Sequence, residues 1–434
     1  MSYRLSVDVG GTFTDIVLFN TESKKKYTTK TTSTPNDFSI GLIEGIEKIV
    51  GKVGLNSYQE ISYFIHGTTV ATNALLERKG AKTALITTEG FRDVFEIASQ
   101  RRPHLYDFWA QRPKPPVPRY LVFEIPERVL FDGTVEKKLD KRKASEIIKK
   151  MKEYEVESIA ICFLHSYKNP INEFKMKELI LKQMDVYITI SYEILPEIRE
   201  YERTCTTAVN AYLMPKVQSY ISNLVRKKET INIKPKIHIM QSNGGTMSSD
   251  AAAKRSVHTV FSGPAGGALA GINMSKLLNE QNVITLDMGG TSTDIALIEK
   301  FQIKLTTNGE IGAFPIKIPM IEMYTIGAGG GSIAWIDMGG ALKVGPESTG
   351  AVPGPACYGL GGEYPTVTDA NLFLGILSPE NFLGGEKRIY IEKSKNAIQK
   401  NIASKINLST IASANGILDV VNSNMCGGIK VIST

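Results

Sequence analysis

Two stretches of the chain place a glycine-rich turn between runs of strand-forming residues. The apolar run Tyr3 to Val7 precedes Asp8-Val-Gly-Gly-Thr-Phe-Thr-Asp15, and Val283 to Leu286 precedes Asp287-Met-Gly-Gly-Thr-Ser-Thr-Asp294. A second apolar run follows each turn. Strands on both sides of a tight glycine turn are typical of a hairpin, so each stretch predicts two antiparallel strands.

Between these hairpins the pattern predicts alternating helices and strands, which places the chain in the α/β class. The first elements are expected to be a helix at Phe38 to Val50, a strand at Ile61 to Ile65, a helix at Val70 to Arg78 and a buried strand at Lys82 to Thr87. The last three form a predicted strand–helix–strand unit. Further helices are expected at Tyr201 to Leu213, ending before Pro215, at 263–271 and at Ile411 to Ile429.

The two hairpins repeat one motif. Aligned without gaps from Asp8 and from Asp287, they share Asp, Gly, Gly, Thr, Thr, Asp, Ile and Leu, and they lie 279 residues apart. One copy alone is equally compatible with an ordinary tight turn, because short motifs match by chance. Two copies in one chain indicate a duplicated domain whose halves each direct a hairpin at a shared ligand.

The residue types in the repeated turn suit a phosphate and a metal ion. Paired glycines allow backbone conformations in which several N–H groups point into one concavity, and the threonine hydroxyls add donors. The leading carboxylates, Asp8 and Asp287, are placed at strand ends where they can hold a hydrated Mg²⁺. A P-loop is absent from the sequence, so any nucleotide is bound in another way.

Length and composition bound the class of protein. The 434 residues suggest about three structural units. A net charge of +7 comes from scattered lysines without a basic, aromatic-rich stripe, so no nucleic-acid partner is expected. The four cysteines lack metal-binding or disulfide spacing, which fits a cytoplasmic protein. No apolar run approaches membrane-spanning length, and a first strand near residue 3 leads us to expect no signal peptide.

Other candidate site residues are weaker. His66 lies at a predicted strand end before a helix, where it suits a catalytic role or a structural hydrogen bond equally well. Arg102 lies in a long, proline-rich loop, a kind of segment that is often functional. Glu202 and Arg203 suit a polar site or a helix surface. The glycine-rich segment 326–333 is expected to be rich in free amide groups.

The pair of Asp-x-Gly-Gly-Thr hairpins resembles the two phosphate loops of the actin, Hsp70 and sugar-kinase superfamily. Helix 263–271 and the final helix, with Gly427 and Gly428, resemble its two interlobe helices. More narrowly, the chain is similar to the hydantoinase A / 5-oxoprolinase family along essentially its whole length. Besides the hairpins, the matching segments include His66-Gly-Thr-Thr-Val-Ala-Thr-Asn73, Gln241-Ser-Asn-Gly-Gly245, Ser262-Gly-Pro-Ala-Gly-Gly267, Gly327-Ala-Gly-Gly-Gly-Ser332 and Thr366-Val-Thr-Asp-Ala-Asn371.

The resemblance implies two ribonuclease-H-like lobes around a nucleotide cleft, with a domain at 1–195 and a second, incomplete one at 196–434. It implies ATP-dependent hydrolysis of a small cyclic amide through phosphorylation of the amide oxygen, in a hetero-oligomer with a B-type subunit. Asp8 and Asp287 would hold Mg²⁺, and His66, Arg92, Arg102 and Glu202 would lie on the substrate side. The residues implied for ATP binding are Gly10, Gly11, Thr12, Thr14, Gly289, Gly290, Thr291, Thr293, Gly329 and Gly330.

The sequence departs from the family pattern in two places. Relatives carry an Asp-x-His pair before the glycine-rich loop, where this chain has Glu322-Met-Tyr324. Relatives also continue past residues 430–433 into a segment resembling the superfamily's adenosine loop, so we expect a truncated or split chain that binds the nucleotide base poorly. Two alternatives stay open: the ATP-using subunit of an acetone- or acetophenone-type carboxylase, and a nucleotide-binding module without turnover.

Overall fold

The computed structural model describes residues 2–11, 13–34, 37–55, 57–100, 106–111, 113–311, 314–385 and 387–434, which form a mixed α/β fold. The strands up to residue 248 are β1 (Tyr3–Val9), β2 (Phe13–Asn20), β3 (Lys26–Thr32), β4 (Ile61–Thr68), β5 (Thr83–Thr88), β6 (Val122–Ile125), β7 (Arg128–Val129), β8 (Val135–Lys137), β9 (Ser158–Cys162), β10 (Tyr187–Ile190), β11 (Ile237–Met240) and β12 (Thr246–Ser248). The helices up to residue 278 are α1 (Phe38–Val53), α2 (Val70–Leu76), α3 (Val94–Ile97), α4 (Lys141–Glu153), α5 (Ile171–Leu181), α6 (Ser191–Ile194), α7 (Glu200–Thr230), α8 (Ser249–Lys254) and α9 (Ser262–Leu278).

These strands form two main sheets with a shared core. One sheet has the order β12-β11-β4-β1-β2-β3, and the other is parallel with the order β10-β9-β5-β6. The predicted strand, helix and strand are present as β4, α2 and β5, and the two strands belong to different sheets. The chain crosses between the sheets near Gly80, where a Cβ atom would lie 2.2 Å from the ring of Tyr212 on α7.

Helix α7 is longer than predicted because it continues through Pro215 to Thr230. A proline inside a helix loses one backbone hydrogen bond and usually ends or kinks the helix. Here Leu213 and Val217 are buried on either side of the proline, and α7 packs against β9, β10 and α2. Burial of α7 against β9, β10 and α2 therefore outweighs the local cost of the proline.

The remaining residues form a third, smaller sheet, several two-stranded sheets and further helices. The strands are β13 (Val283–Met288), β14 (Thr293–Glu299), β15 (Gln302–Ile303), β16 (Leu305–Thr306), β17 (Gly309–Ile311), β18 (Phe314–Ile316), β19 (Met320–Ile321), β20 (Met323–Ile326), β21 (Ser332–Ile336) and β22 (Leu342–Ser348). The third sheet has the order β13-β14-β15, and β20 pairs with β14 at residues 293–296. The two-stranded sheets are β16-β19, β17-β18 and β21-β22. The helices are α10 (Val367–Phe373), α11 (Ile391–Ile398), α12 (Ser404–Ile406) and α13 (Thr410–Ser433).

Both predicted hairpins are present. In the first, β1 and β2 are antiparallel with Asp8 opposite Asp15, and in the second, β13 and β14 place Asp287 opposite Asp294. Each turn is closed by the same backbone bond, from Gly10 N to Phe13 O and from Gly289 N to Ser292 O, both 2.9 Å long. The mixed α/β class is confirmed, and the two-lobe arrangement stays a prediction.

Within the ranges that the structure describes, none of the helices is long and apolar enough to cross a lipid bilayer.

Candidate functional site

Helix α9 brings the two hairpins together. Its first turn is attached to the end of β4, where the hydroxyl of Ser262 accepts a hydrogen bond from Thr68 N and donates one to Thr68 O. Further along, α9 packs on β13 so closely that a Cβ atom on Gly271 would lie 2.2 Å from Thr285 Cγ2. The same helix therefore contacts the strand beside β1 and the first strand of the second hairpin.

The two leading carboxylates lie against neighbouring turns of α9. A Cβ atom on Gly263 would lie 3.1 Å from Asp8 Oδ1, and one on Gly267 would lie 3.7 Å from Asp287 Oδ2. Positions four residues apart share one face of a helix, so both carboxylates approach the same face. Glycine at these positions leaves the space that the carboxylates occupy.

Electrostatics confirm that Asp8 has acidic neighbours. Its carboxylate is open to solvent on one side, but the protein atoms packed around it raise its pKa to about 6, and the charges of Asp15 and Asp287 add to that rise. The cation of Lys30, which is paired with Asp15 at 3.1 Å, opposes the rise only in part. A site with excess negative charge attracts a cation.

The second hairpin repeats this arrangement. Burial raises the pKa of Asp294 and the charge of Asp287 raises it further, while a hydrogen bond from the Thr325 hydroxyl at 2.6 Å lowers it. Asp287 and Asp294 line a cavity of about 330 Å³ between α9 and the sheet, together with Gly267 and Met323. Gly289, Gly290 and Thr291, the residues of the turn, are exposed beside it.

Thr14 and Thr293, two of the predicted phosphate ligands, serve a different purpose in the structure. Both are fully buried. The hydroxyl of Thr14 is bonded to that of Ser33 at 3.0 Å, and Ser33 in turn donates to Gly10 O at 2.7 Å. The hydroxyl of Thr293 donates to Ala328 O. Both hydroxyls are bonded within the protein and hold the turns in place.

The glycine-rich loop was also predicted to offer free amides, and here the prediction was wrong. Gly330 N donates to Gly289 O at 2.9 Å, and Gly329 N donates to the hydroxyl of Ser332 at 2.8 Å. A Cβ atom on Gly329 would lie 2.6 Å from Thr291 N. The loop lies directly behind the second turn and supports it, and glycine is needed there for close packing.

His66 lies in the core, 0% exposed. Its Nδ1 is 3.2 Å from Val7 O, and its Nε2 is 2.7 Å from the hydroxyl of Tyr220. Burial lowers the pKa of His66 to about 4, so the neutral ring donates from Nδ1 and accepts from Tyr220 at Nε2. These contacts give His66 the structural role that the sequence left open, as a support for the strand that carries Asp8.

The other substrate-side candidates are only partly brought together. Arg92 is half-buried and donates to Arg119 O at 2.9 Å, and Glu202 is half-buried in the first turn of α7. A small cavity lies between their chain neighbours. Phe91 and Val94, on either side of Arg92 in the chain, line it together with Glu200 and Arg203, on either side of Glu202. Arg102 and the phosphate candidate Thr12 lie outside the described residues.

The sequence left open whether Arg203 belongs to a polar site or to a helix surface, and the structure buries it. This side chain is 1% exposed and donates to Ser191 Oγ at 3.0 Å, to Phe163 O at 2.8 Å and to Ser166 Oγ. The hydroxyl of Ser191 also donates to the buried carboxylate of Glu173 at 2.6 Å. Burial raises the pKa of Glu173 and the charge of Arg203 lowers it. A charged residue at a helix start gives no sequence signal of such a network.

Comparison with known proteins agrees with this architecture. Residues 4–184 match the hydantoinase/oxoprolinase N-terminal region, and residues 203–434 match the hydantoinase/oxoprolinase family model. The caprolactamase subunit alpha of Pseudomonas jessenii is 38% identical over 99% of the chain and 63% of its own length. An uncharacterized protein of Methanocaldococcus jannaschii is 41% identical over the whole chain and 65% of its own length.

Solved structures show the same fold. The nucleotide-free structure of acetone carboxylase, which catalyses ATP-dependent acetone carboxylation, has a TM-score of 0.88 at 28% identity over 98% of this chain and 62% of the solved chain. The chain thus spans less than two thirds of the length of these relatives. From the family models and from these identities, the chain belongs to the hydantoinase/oxoprolinase family.

Proposed function

We propose that the chain is an A-type subunit that uses ATP to phosphorylate the amide oxygen of a small cyclic amide, so that the ring opens by hydrolysis. The observation that supports this most directly is the convergence of two duplicated acidic hairpins, at Asp8 and Asp287, on one face of α9. Relatives named caprolactamase and 5-oxoprolinase supply the substrate class.

The residues at this site fit a magnesium ion. The charges of Asp15 and Asp287 disfavour the charged form of Asp8, and a divalent cation would relieve that repulsion. In the part of the chain that the structure describes, no three His, Cys, Asp or Glu side chains form a metal cage. Mg²⁺ suits such an open site because it keeps several waters and uses one or two carboxylates with substrate phosphates.

The chain's own residues would then bind and orient the nucleotide. The backbone amides of Gly10, Gly11, Gly289 and Gly290, with the hydroxyls of Thr12 and Thr291, would bind phosphate oxygens, and Asp8 and Asp287 would hold the metal. When bound, Mg-ATP supplies the phosphoryl group that makes the amide carbon a better electrophile. The protein contributes position and charge neutralisation, which dominate phosphoryl transfer.

The wider arrangement is part of the same proposal. Two ribonuclease-H-like domains, 1–195 and 196–434, would enclose the nucleotide, with Arg92, Arg102 and Glu202 on the substrate side. A B-type subunit would complete hydrolysis in a hetero-oligomer in the cytoplasm. The name of the caprolactamase relative, a subunit alpha, supports a multi-subunit enzyme.

A second candidate function is the ATP-using subunit of a ketone carboxylase. The specific observation in its favour is the structural match to acetone carboxylase, with a TM-score of 0.88. The same hairpins would serve both reactions, because each transfers a phosphoryl group from ATP to a carbonyl-derived oxygen. The two functions differ in the acceptor and in the need for bicarbonate.

Phosphate release from ATP tests both candidates. The chain and a co-expressed B-type subunit would be assayed with caprolactam, hydantoin and 5-oxoproline, and with acetone and acetophenone, each with and without bicarbonate. We expect stimulation by a cyclic amide without bicarbonate, release of the ring-opened product, and loss of both in Asp8→Ala and Asp287→Ala. Stimulation only by a ketone with bicarbonate would assign the carboxylase function, and binding of ATP without any stimulation would assign a module without turnover.

A further inference from the structure

A row of three charged side chains crosses the sheet at the first hairpin. Asp8 of β1 lies opposite Asp15 of β2, and Asp15 lies opposite Lys30 of β3. Residues directly opposite each other point to the same face of a sheet, so all three side chains share one face. That face is exposed at these positions, whereas Val7 and Val9 on the other face of β1 are buried. The row therefore lies where a ligand of Asp8 would be bound.

The second hairpin repeats this row with one difference. Asp287 lies opposite Asp294, and Asp294 lies opposite Thr325 of β20. The hydroxyl of Thr325 donates to Asp294 at 2.6 Å, so the third member of this row is neutral. The cation of Lys30 is thus a feature of the first hairpin that the second hairpin does not repeat.

The side chain of Lys30 is inclined towards the turn of the first hairpin. Its ammonium nitrogen is 3.1 Å from Asp15 Oδ1 and 5.3 Å from the centre of the Phe13 ring. Phe13 accepts the hydrogen bond from Gly10 N that closes the turn, and it lies opposite Thr32, not opposite Lys30. The ammonium group is therefore displaced along the sheet towards the segment whose amides are proposed to bind phosphate.

The ion pair between Lys30 and Asp15 can be exchanged for a stronger contact. The two side chains are 42% and 51% exposed, and exposed ion pairs contribute little to stability. A lysine ammonium has several donors, and its hydrogen bonds to phosphate are charge-assisted. Lys30 can therefore turn a donor to a phosphate oxygen at little cost.

The charge balance of the site requires such a cation. The charges of Asp15 and Asp287 act on Asp8, and among the residues that the structure describes Lys30 is the cation that opposes them. The phosphate chain of ATP adds several further negative charges to this acidic site. Phosphoryl transfer depends on neutralisation of that charge by a metal ion and by basic side chains.

We propose that Lys30 contacts the phosphate chain of ATP, so that the first hairpin supplies the positive side chain of the site and the second hairpin supplies neutral donors beside Asp287. The inference rests on the use of ATP proposed above. It adds a ligand that lies on β3, outside both Asp-x-Gly-Gly-Thr motifs.

Three variants of the 434-residue chain test the contact. Lys30→Met removes the charge but keeps much of the apolar stem, and Lys30→Arg keeps the charge. Lys26→Met is the matched control, because Lys26 is an exposed lysine on the same face of β3, further from the turn. We expect Lys30→Met to weaken Mg-ATP binding about 10–100-fold, Lys30→Arg to weaken it less, and Lys26→Met to leave it unchanged. Isothermal titration measures the affinities, and circular dichroism checks that the variants are folded.

Two further measurements separate a direct contact from an effect through Asp8. The first is modification of lysines by an amine reagent, followed by mass spectrometry of the native chain. With ATP at about ten times its dissociation constant, modification of Lys30 should slow about tenfold, and that of Lys26 should not change. The second is titration with ATP in the absence of Mg²⁺, where Lys30→Met should still weaken binding because the contact is to phosphate and not to the metal.

Three results would overturn the contact and leave the proposed function standing, provided that the native chain binds Mg-ATP. They are equal affinities of Lys30→Met and Lys26→Met, modification of Lys30 at the same rate with and without ATP, and disappearance of the Lys30→Met effect when Mg²⁺ is removed. A native chain that binds no Mg-ATP would overturn the proposed function and this inference together.

Discussion

Thr14 and Thr293 show that a residue of a binding motif need not be one of the residues that contact the ligand. Sequence alone places both threonines beside a phosphate turn, and the structure uses both hydroxyls to fix the turn from behind. Their role depends on Ser33 and Ala328, which are distant in sequence. Local spacing predicts the turn itself, but the direction of a side chain depends on partners that only the folded chain brings near.

His66 gives a pH-dependent prediction at this scale. Its pKa is about 4 in the fold and 6.5 in the unfolded chain, so only the unfolded state takes up the proton as the pH falls between these values. The free energy of unfolding should therefore fall by up to about 3 kcal/mol as the pH drops from about 6.5 towards 4. In His66→Gln, whose amide oxygen can still accept from Tyr220, this fall should be smaller.

Urea unfolding at about pH 7 and about pH 5 measures the difference between the two proteins. Burial also lowers the pKa of His258 to about 4. His258 is present in both proteins, so its contribution to the pH dependence cancels in the comparison. A catalytic role for His66 would follow if the free energy of unfolding had the same pH dependence in both proteins and His66→Gln had lost ATP turnover.

Arg203 gives a second prediction about a single side chain. Arg203→Met keeps the apolar volume but removes the donors to Ser191 and Phe163 and leaves Glu173 buried without a nearby cation. Each buried polar group that is left without a partner costs about 1–3 kcal/mol, and a charged group costs more. The midpoint of urea unfolding should fall accordingly, and Arg203→Lys should recover part of the loss. A loss below about 1 kcal/mol would show that the network contributes little.

Among the elements, the hairpins were predictable and the full length of α7 was not. A hairpin is specified by residues within a few positions of its turn, such as Gly10 and Gly289. The length of α7 depends on burial of the residues around Pro215 against β9, β10 and α2. The small residues of α9 leave room for close neighbours, and these are the carboxylates of Asp8 and Asp287, which no local pattern reveals.

Close packing around Asp8 gives a prediction for β4. A Cβ atom on Gly67 would lie 2.8 Å from Asp8 Oδ1, so Gly67→Ala should rotate the carboxylate and weaken Mg²⁺ binding about 10–100-fold. Gly51→Ala in α1 is the matched control, because its Cβ meets nothing within 4 Å. That change should leave metal binding intact and stabilise the helix by about 0.5–1 kcal/mol. Isothermal titration with Mg-ATP compares the variants, and equal affinities would contradict the assigned position of Asp8.

At the scale of the whole molecule, the two duplicated hairpins form a single binding site only if one ligand contacts both. The structure places Asp8 and Asp287 on one face of α9, and each belongs to a different half of the chain. Asp8 and Asp287 would be used both by two separate sites and by one shared site. The two cases differ in binding free energy. If both carboxylates hold one ion, removing either one also removes the benefit of the other, so the two losses are not additive.

A double-mutant cycle separates these cases. Asp8→Asn and Asp287→Asn should each weaken Mg-ATP binding, and the double variant should be little weaker than either, with a coupling energy of about 1–3 kcal/mol. Asp93, an exposed residue paired with Arg119, supplies the control. When Asp93→Asn is combined with Asp8→Asn, the two changes in binding free energy should be additive. Without Mg²⁺ the sign should reverse, and each single variant should bind ATP more tightly, because a negative charge beside the phosphates has been removed. Additive losses with Mg²⁺, or no reversal without it, would mean that the two hairpins bind different ligands.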